Sequence, residues 1–296
     1  MKMTNKLRLP DVIVDAVAND SYTKGEADIS VTELLVPPQL RHLKLKYADE
    51  LVEDVSDRIY SLMGQSLHVI LERAAAGKLD ALSETTVYAE YEGWVVKGQA
   101  DHLLMGTGEL LDFKMTSVYK IKAGSVPREW VEQTNIYRRL LQKKGITVNT
   151  IAIIVFLRDW SKNKAKQTQD YPQAQVLRLE VPLWTDQQTD DFISERIKLH
   201  QAAVPQSCSD YDMWAKPASY AVMKRGNVRA VKVFNNEFDA EALASTSSGL
   251  YVEERPGEAV RCQDWCPVAH VCPQWRDDPR NKRTSSVEES LFNAQV

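Results

Sequence analysis

Two aspartates and a lysine are the first residues in this chain whose types and spacing suggest chemistry. Within GQADHLLMGTGELLDFKMT, residues 98–116, Asp101 precedes one apolar run and Asp112-Phe113-Lys114 closes the next. Alternation along an extended strand puts Asp112 and Lys114 on the face of Leu110, away from Leu111 and Phe113. Asp101, on the strand before, reaches the same end of the sheet. A cross-strand salt bridge accounts for one acid and one lysine, at roughly 0–1 kcal/mol if exposed. It does not account for the second acid, because two close carboxylates repel unless a cation lies between them. Magnesium or manganese, which take hard oxygen ligands and leave room for water and phosphate, suit that position. Such an ion brings the pKa of bound water from about 15.7 to as little as ~7, while a lysine ammonium orients the water or offsets charge growing on a phosphate. The chemistry that fits is phosphodiester hydrolysis.

Periodicity predicts the elements that must hold these residues. Apolar residues at helical spacing run from Leu51 to Ile70 and predict a helix over 48–76, stopped near Gly77. Three strands are predicted over 85–91, 94–105 and 109–115, separated by turn signals at Glu92-Gly93 and Gly106-Thr107-Gly108. A helix follows from Pro127 to about Lys144, then strands over 150–157 and 175–181 and a helix over 184–201. This order predicts an α/β fold with a mixed central sheet flanked by helices. Periodicity weakens after Ala203, which predicts a core over 1–203, a smaller module over 204–280 and a disordered tail over 281–296.

Three further elements accompany the acids. Gly64 and His68 lie one helical turn apart on the first predicted helix, Gln133 and Tyr137 share a face of the helix after the hairpin, and Glu90 ends the strand before Asp101. A glycine inside a helix costs ~1 kcal/mol relative to alanine, so Gly64 suggests a close approach there. His68 also reads as a plain surface histidine, Gln133 as a satisfied core amide and Glu90 as a residue flanking a turn. Together these residues resemble the PD-(D/E)xK nuclease superfamily, in its RecB-like branch with Gly-x-x-x-His and Gln-x-x-x-Tyr elements, over roughly residues 30–280. The resemblance implies a restriction-endonuclease-like core. It implies His68, Asp101, Asp112 and the Phe113 carbonyl as metal ligands, Lys114 as catalyst and Glu90 as a further acid. Gln133 and Tyr137 would then meet the DNA or the lysine.

The four cysteines of the chain form a second group. RCQDWCPVAHVCPQW spaces Cys262, Cys266 and Cys272, and Cys208 stands alone in QSCSDYDMW. Four thiolates are a full ligand set for an iron-sulfur cluster or for tetrahedral zinc, with His270 an alternative to Cys208 in the zinc case and unliganded thiols the remaining reading. One isolated and three clustered cysteines is similar to RecB-like and CRISPR-adaptation exonucleases, which implies a 4Fe-4S cluster. In those relatives the lone cysteine precedes the nuclease motifs, whereas Cys208 follows them.

A formal net charge of −4 argues against coating nucleic acid through bulk charge but leaves room for a local basic groove. Lys120, Lys122, Arg128, Arg138, Arg139, Lys143 and Lys144 cluster after the hairpin as a polyanion seat or a solvated helix face. Lys120 and Arg138 are the DNA contacts expected there. Lys224, Arg225, Arg229 and Lys232, with Trp214 and Tyr220 for stacking, form a second candidate strand path. No segment has the length or apolarity of a signal peptide or membrane span, so the expected place is the cytoplasm. Leu291-Phe292 in the tail resembles peptides that dock on replication clamps.

The expected activity is therefore that of a magnesium- or manganese-dependent exonuclease, of the kind phages encode for recombination or replication, acting on DNA ends or single strands. A structure-specific endonuclease or flap nuclease shares the same site. A non-catalytic DNA-end or partner-binding module is the rival from another class.

Overall fold

The computed structural model describes residues 2–18, 25–121 and 125–281. In chain order its elements are β1 (Lys2–Thr4), α1 (Asp11–Ala18), β2 (Ile29–Ser30), α2 (Val31–Leu35), α3 (Pro38–Lys46), β3 (Val52–Asp54), α4 (Ile59–Ala75), β4 (Ala81–Tyr91), β5 (Trp94–Leu104), β6 (Glu109–Thr116), α5 (Val118–Ile121), α6 (Arg128–Lys143), β7 (Thr150–Leu157), α7 (Lys162–Gln167) and β8 (Val176–Glu180). Beyond these come α8 (Asp186–Gln201), β9 (Ala215–Lys216), β10 (Ser219–Lys224), β11 (Lys232–Phe234), α9 (Glu237–Ala244), β12 (Leu250–Arg255), β13 (Glu258–Ala259) and α10 (Pro273–Asp277). Contacts divide the chain into two units. One takes the chain up to Val36 and Val52–Pro205; the other takes Pro37–Leu51 and the chain from Gln206 onward.

The first unit is an α/β layer around a mixed sheet. Its central hairpin follows from Glu92 and Gly93, whose φ values of 49° and 75° close the two-residue turn that matches strand twist. Tyr91 faces Trp94, and β4 and β5 pair antiparallel from there to Ala81 and Leu104. The other edge of β5 pairs with β2 in parallel at Val96 and Lys97, and with β6 antiparallel at His102, Leu103 and Leu104. β6 runs parallel with β7, which pairs antiparallel with β8. The β7 sequence TIAIIVFL buries residues of both parities, as a strand covered on both faces requires.

α6 and α8 help to close the core through Ile136, Leu140, Leu141, Ile193 and Ile197, all fully buried. α6 lies close on β5 because residue 98 is glycine: a Cβ there would sit 2.7 Å from Leu140 Cδ1 and 3.1 Å from Tyr137 Cδ1. Several cations of the basic run on α6 have partners within this unit. Arg138 Nη1 donates to the Trp184 carbonyl at 3.2 Å and to Asp186 at 3.1 Å, and Arg139 makes a two-pronged pair with Asp190 at 2.9 and 2.6 Å. The Tyr91 hydroxyl donates to the same Asp190 at 2.6 Å, and Lys143 lies 4.5 Å from the Tyr91 ring centre. Asp186 in the first turn of α8 suits its positive helix end, and with Asp190 one turn on it draws these cations inward. Lys120 pairs with Glu129, and Lys122 lies outside the described residues.

The helix expected over 48–76 is shorter at its start. Val52–Asp54 pairs in parallel with Lys2–Thr4, and Asp54 then caps a turn of 3-10 helix at 55–58 by accepting from the Ser56 N–H at 3.1 Å. Pairing with a strand some fifty residues away leaves no local period to read.

The second unit carries a three-stranded sheet in the order β11-β10-β12, with Ala221 and Val222 buried at its centre, and a short β9-β13 ladder. α3, with Leu40 and Leu43, belongs to this unit. Arg261 stacks on Trp214 at 5.2 Å and Lys232 on Phe234 at 4.7 Å, so two groups expected on a strand path already have partners. Among the described residues no helix is long and apolar enough to cross a membrane. Leu291 and Phe292 of the expected docking peptide lie outside the described residues.

Candidate functional site

β5 and β6 pair at His102, Leu103 and Leu104 and then part, leaving a fork between Asp101 and residues 112–114. In the fork the Asp101 carboxylate accepts the main-chain N–H of Phe113 at 2.7 Å. It replaces the ladder bond that the diverging strands no longer supply, so no backbone donor is orphaned. Across β4, the pairs Ser83–His102 and Thr85–Ala100 bracket Glu84, which therefore stands opposite Asp101. Glu84 has φ 47°, a backbone strain of about 1–3 kcal/mol that tends to persist where a side chain must be aimed. His68 reaches in from α4, its Nδ1 3.2 Å from Glu84 Oε1 and 3.7 Å from Asp101 Oδ2. One ligand atom from each of His68, Glu84 and Asp101 lies within 4.8 Å of the others.

Gln99 steadies this group by donating to Glu84 Oε2 at 2.7 Å. On β6, Lys114 Nζ hydrogen-bonds Asp112 Oδ1 at 3.1 Å and sits 2.9 Å from Oδ2 outside hydrogen-bond geometry. The Asp112 side chain is 1% exposed, and its Oδ2 accepts no hydrogen bond among the described residues. Burial pushes the Asp101 carboxyl up to about 7, with the charge of Asp112 adding to it and those of Lys114 and His68 opposing it. The hydrogen bond to Glu84, which accepts from His68 Nδ1, raises His68 above its ordinary range, against the effect of burial. Burial would lift Glu84, but its bonds to His68 and Gln99 outweigh it and hold the group low. Burial works against the Lys114 charge, and the neighbouring carboxylates of Asp112 and Asp101 outweigh it and keep the ammonium charged. A partly dry group of acids in which Asp101 resists ionisation, beside the buried Asp112–Lys114 pair, is chemically matched to a hard divalent cation.

The structure brings together most of the expected residues and substitutes one. Glu84, not Glu90, is the acid of β4; Glu90 is exposed near the hairpin turn and pairs with Val95. Asp112 stands outside the three-residue cluster, facing Lys114, and Phe113 touches the cluster through its N–H. Gln133 Nε2 donates to the Tyr137 hydroxyl at 2.8 Å, as their spacing predicts, and Tyr137 is buried against residue 98. Among the described residues, nothing outside its own helix lies within 4 Å of where a Cβ on Gly64 would sit. Arg138 is engaged by α8 as described. A cavity beside the cluster is walled by Leu71, Phe113, His102, Ser83 and Lys78, with Ser83 Oγ 2.7 Å from His102 Nδ1.

In the second unit Cys208, Cys262, Cys266 and Cys272 line one cavity with Leu40, Leu43 and Gln39 of α3. The exposed His270 is not part of its wall. Gln274 ties the lone cysteine to the other three, accepting the Cys208 N–H at 2.8 Å and donating to its carbonyl at 2.7 Å. Burial pushes the Cys208 thiol up to about 12 and the Cys262 thiol up to about 11, with the other cysteines adding. No three of the four sulfurs lie within 4.8 Å of one another. Tetrahedral zinc, with bonds of about 2.3 Å, needs its sulfurs about 3.8 Å apart.

No family model and no curated protein matches this chain. Among solved structures, the crystal structure of SSO0001 aligns with 65% of this chain and 86% of its own length at 18% identity, with a TM-score of 0.46.

Proposed function

We propose that this chain is a metal-dependent deoxyribonuclease of the PD-(D/E)xK type, with a restriction-endonuclease-like core, that cuts phosphodiester bonds at DNA ends. The observation that carries the proposal is the convergence of His68, Glu84 and Asp101 in the β5-β6 fork, next to the Asp112–Lys114 pair. His68, Glu84 and Asp101 would hold magnesium or manganese, with the buried Asp112 carboxylate a further oxygen ligand. A divalent ion there supplies Lewis acidity toward a phosphate and acidifies water. Lys114 holds a positive charge where negative charge grows on the phosphate, and Gln99 and the Phe113 N–H fix the ligands that face it. Asp112 and Asp101 keep that lysine protonated. Gln133 and Tyr137 brace α6 behind β5.

The test is degradation of end-labelled linear DNA with manganese, with EDTA, and by Lys114→Ala. Lys114→Ala should lose at least ~10²-fold in rate while keeping DNA affinity. A circular single strand left intact supports end-dependent cutting; a cut circle makes the chain an endonuclease instead. DNA binding without cleavage by wild type in manganese would make the fold a binding platform.

A second reading concerns the cysteines. We infer that they hold an iron-sulfur cluster, a reading supported by four sulfurs that line one cavity with no three of them within 4.8 Å of one another. A cluster supplies one-electron redox chemistry and a covalent staple within this unit. Iron and sulfide analysis with visible absorption of protein purified without oxygen tests it; zinc in their place refutes it.

A further inference from the structure

α3 carries no motif, yet its Gln39 lies in the wall of the cysteine cavity. We propose that Gln39 is a positioning residue for a cluster held by Cys208, Cys262, Cys266 and Cys272, donating its side-chain amide to the Cys272 sulfur and thereby raising the cluster's reduction potential. The proposal rests on the cluster reading given above. Gln39 Nε2 lies 3.4 Å from Cys272 Sγ across 233 residues of sequence, and both residues are buried. Gln39 Oε1 is also out of solvent and accepts no hydrogen bond among the described residues.

The orientation of this amide carries the argument. A side-chain amide can turn over to exchange its donor and acceptor ends. Toward a thiol, whose S–H is a donor, the oxygen end would face the sulfur and satisfy both groups. Toward a thiolate the nitrogen end must face it, because a negative sulfur attracts N–H and repels C=O. Gln39 presents its nitrogen to the Cys272 sulfur, the end from which a sulfur ligand of a cluster would accept.

Reducing a cluster adds negative charge, part of which falls on the sulfur ligands, so a donor to one of them favours the reduced form. Leu40 and Leu43 line the same cavity and keep competing water from that bond. Without the amide, the preference for the reduced form falls and the potential drops.

The experiment is a redox titration of the full chain purified without oxygen, comparing wild type with Gln39→Leu and Gln39→Glu, with iron content measured in each. Gln39→Leu should keep its iron and lose about tenfold in preference for the reduced form, about 59 mV for one electron. Gln39→Glu, which puts a carboxylate beside the sulfur, should fall at least as far. Pulsed EPR of reduced wild type carrying ¹⁵N-glutamine reads the amide without any substitution and should show a nitrogen coupled to the cluster. Iron-loaded wild type with no such coupling, or iron-loaded variants with unchanged potential, would overturn the role of Gln39 alone. Wild type that holds zinc or no metal would overturn the cluster reading and this proposal together.

Discussion

Replacing Asp101 with asparagine should stabilise the metal-free protein, and by an amount that depends on pH. The Asp101 carboxyl is raised from 3.8 to about 7 in the folded chain, by burial and by the charge of Asp112. Between those values the folded state binds more protons than the unfolded one, so stability falls as pH rises through this window. Below about pH 4 the group is protonated in both states and contributes no difference. By pH 8 it is ionised in both, and the folded state bears the whole penalty. About 3 units at 1.36 kcal/mol each make that penalty on the order of 4 kcal/mol. Asparagine is neutral throughout and keeps an oxygen for the Phe113 N–H. Asp101→Asn should therefore match wild type near pH 4 and exceed it by about 4 kcal/mol at pH 8, roughly 8 °C or more in Tm. Thermal denaturation in EDTA at pH 4.5, 6 and 8 reads this directly, and titrating groups that do not interact with Asp101 cancel in the difference. Manganese at 100 times its Kd should return about 2.7 kcal/mol to wild type and little to the variant. A gap between the two proteins that is constant from pH 4.5 to 8, or a variant less stable at pH 8, would refute the electrostatic reasoning.

Other consequences are as specific. Glu84→Gln should weaken manganese affinity at least about tenfold by calorimetry, whereas Glu90→Gln, at the exposed end of the same strand, should leave it unchanged. Gly98→Ala pushes a methyl to within 2.7 Å of Leu140 and 3.1 Å of Tyr137 and should cost about 1–3 kcal/mol in urea unfolding. A double-mutant cycle on Arg139 and Asp190 should return a coupling of about 0.5–3 kcal/mol in stability. Neither single variant should change the salt dependence of DNA binding, because the pair joins α6 to α8.

The chemistry was more legible in the sequence than the partners that complete it. Asp101, Asp112, Lys114 and His68 stand out by type and spacing, and the alternation that puts Asp112 and Lys114 on one face is visible in six residues. Glu84 was recoverable as well: once Glu92-Gly93 closes the hairpin, counting back equally along both strands sets residue 84 against residue 101. Its distance from the turn, and the more obvious acid at Glu90, concealed it. The strand at Val52–Asp54 was hidden because its partner is Lys2–Thr4 and because the apolar spacing of α4 extends through it. Gln39 carries no local signal at all. The partners that Asp186 and Asp190 of α8 give to Arg138 and Arg139 are not visible in the sequence, because only tertiary packing brings them near.

The central claim is that His68, Glu84 and Asp101 share one divalent ion beside Lys114. Anomalous diffraction from crystals soaked in manganese tests it most directly. The account predicts a peak within bonding distance of His68 Nδ1 or Nε2 and of both carboxylates, absent in Asp101→Asn. Manganese bound elsewhere on the chain, with this fork empty, would contradict it.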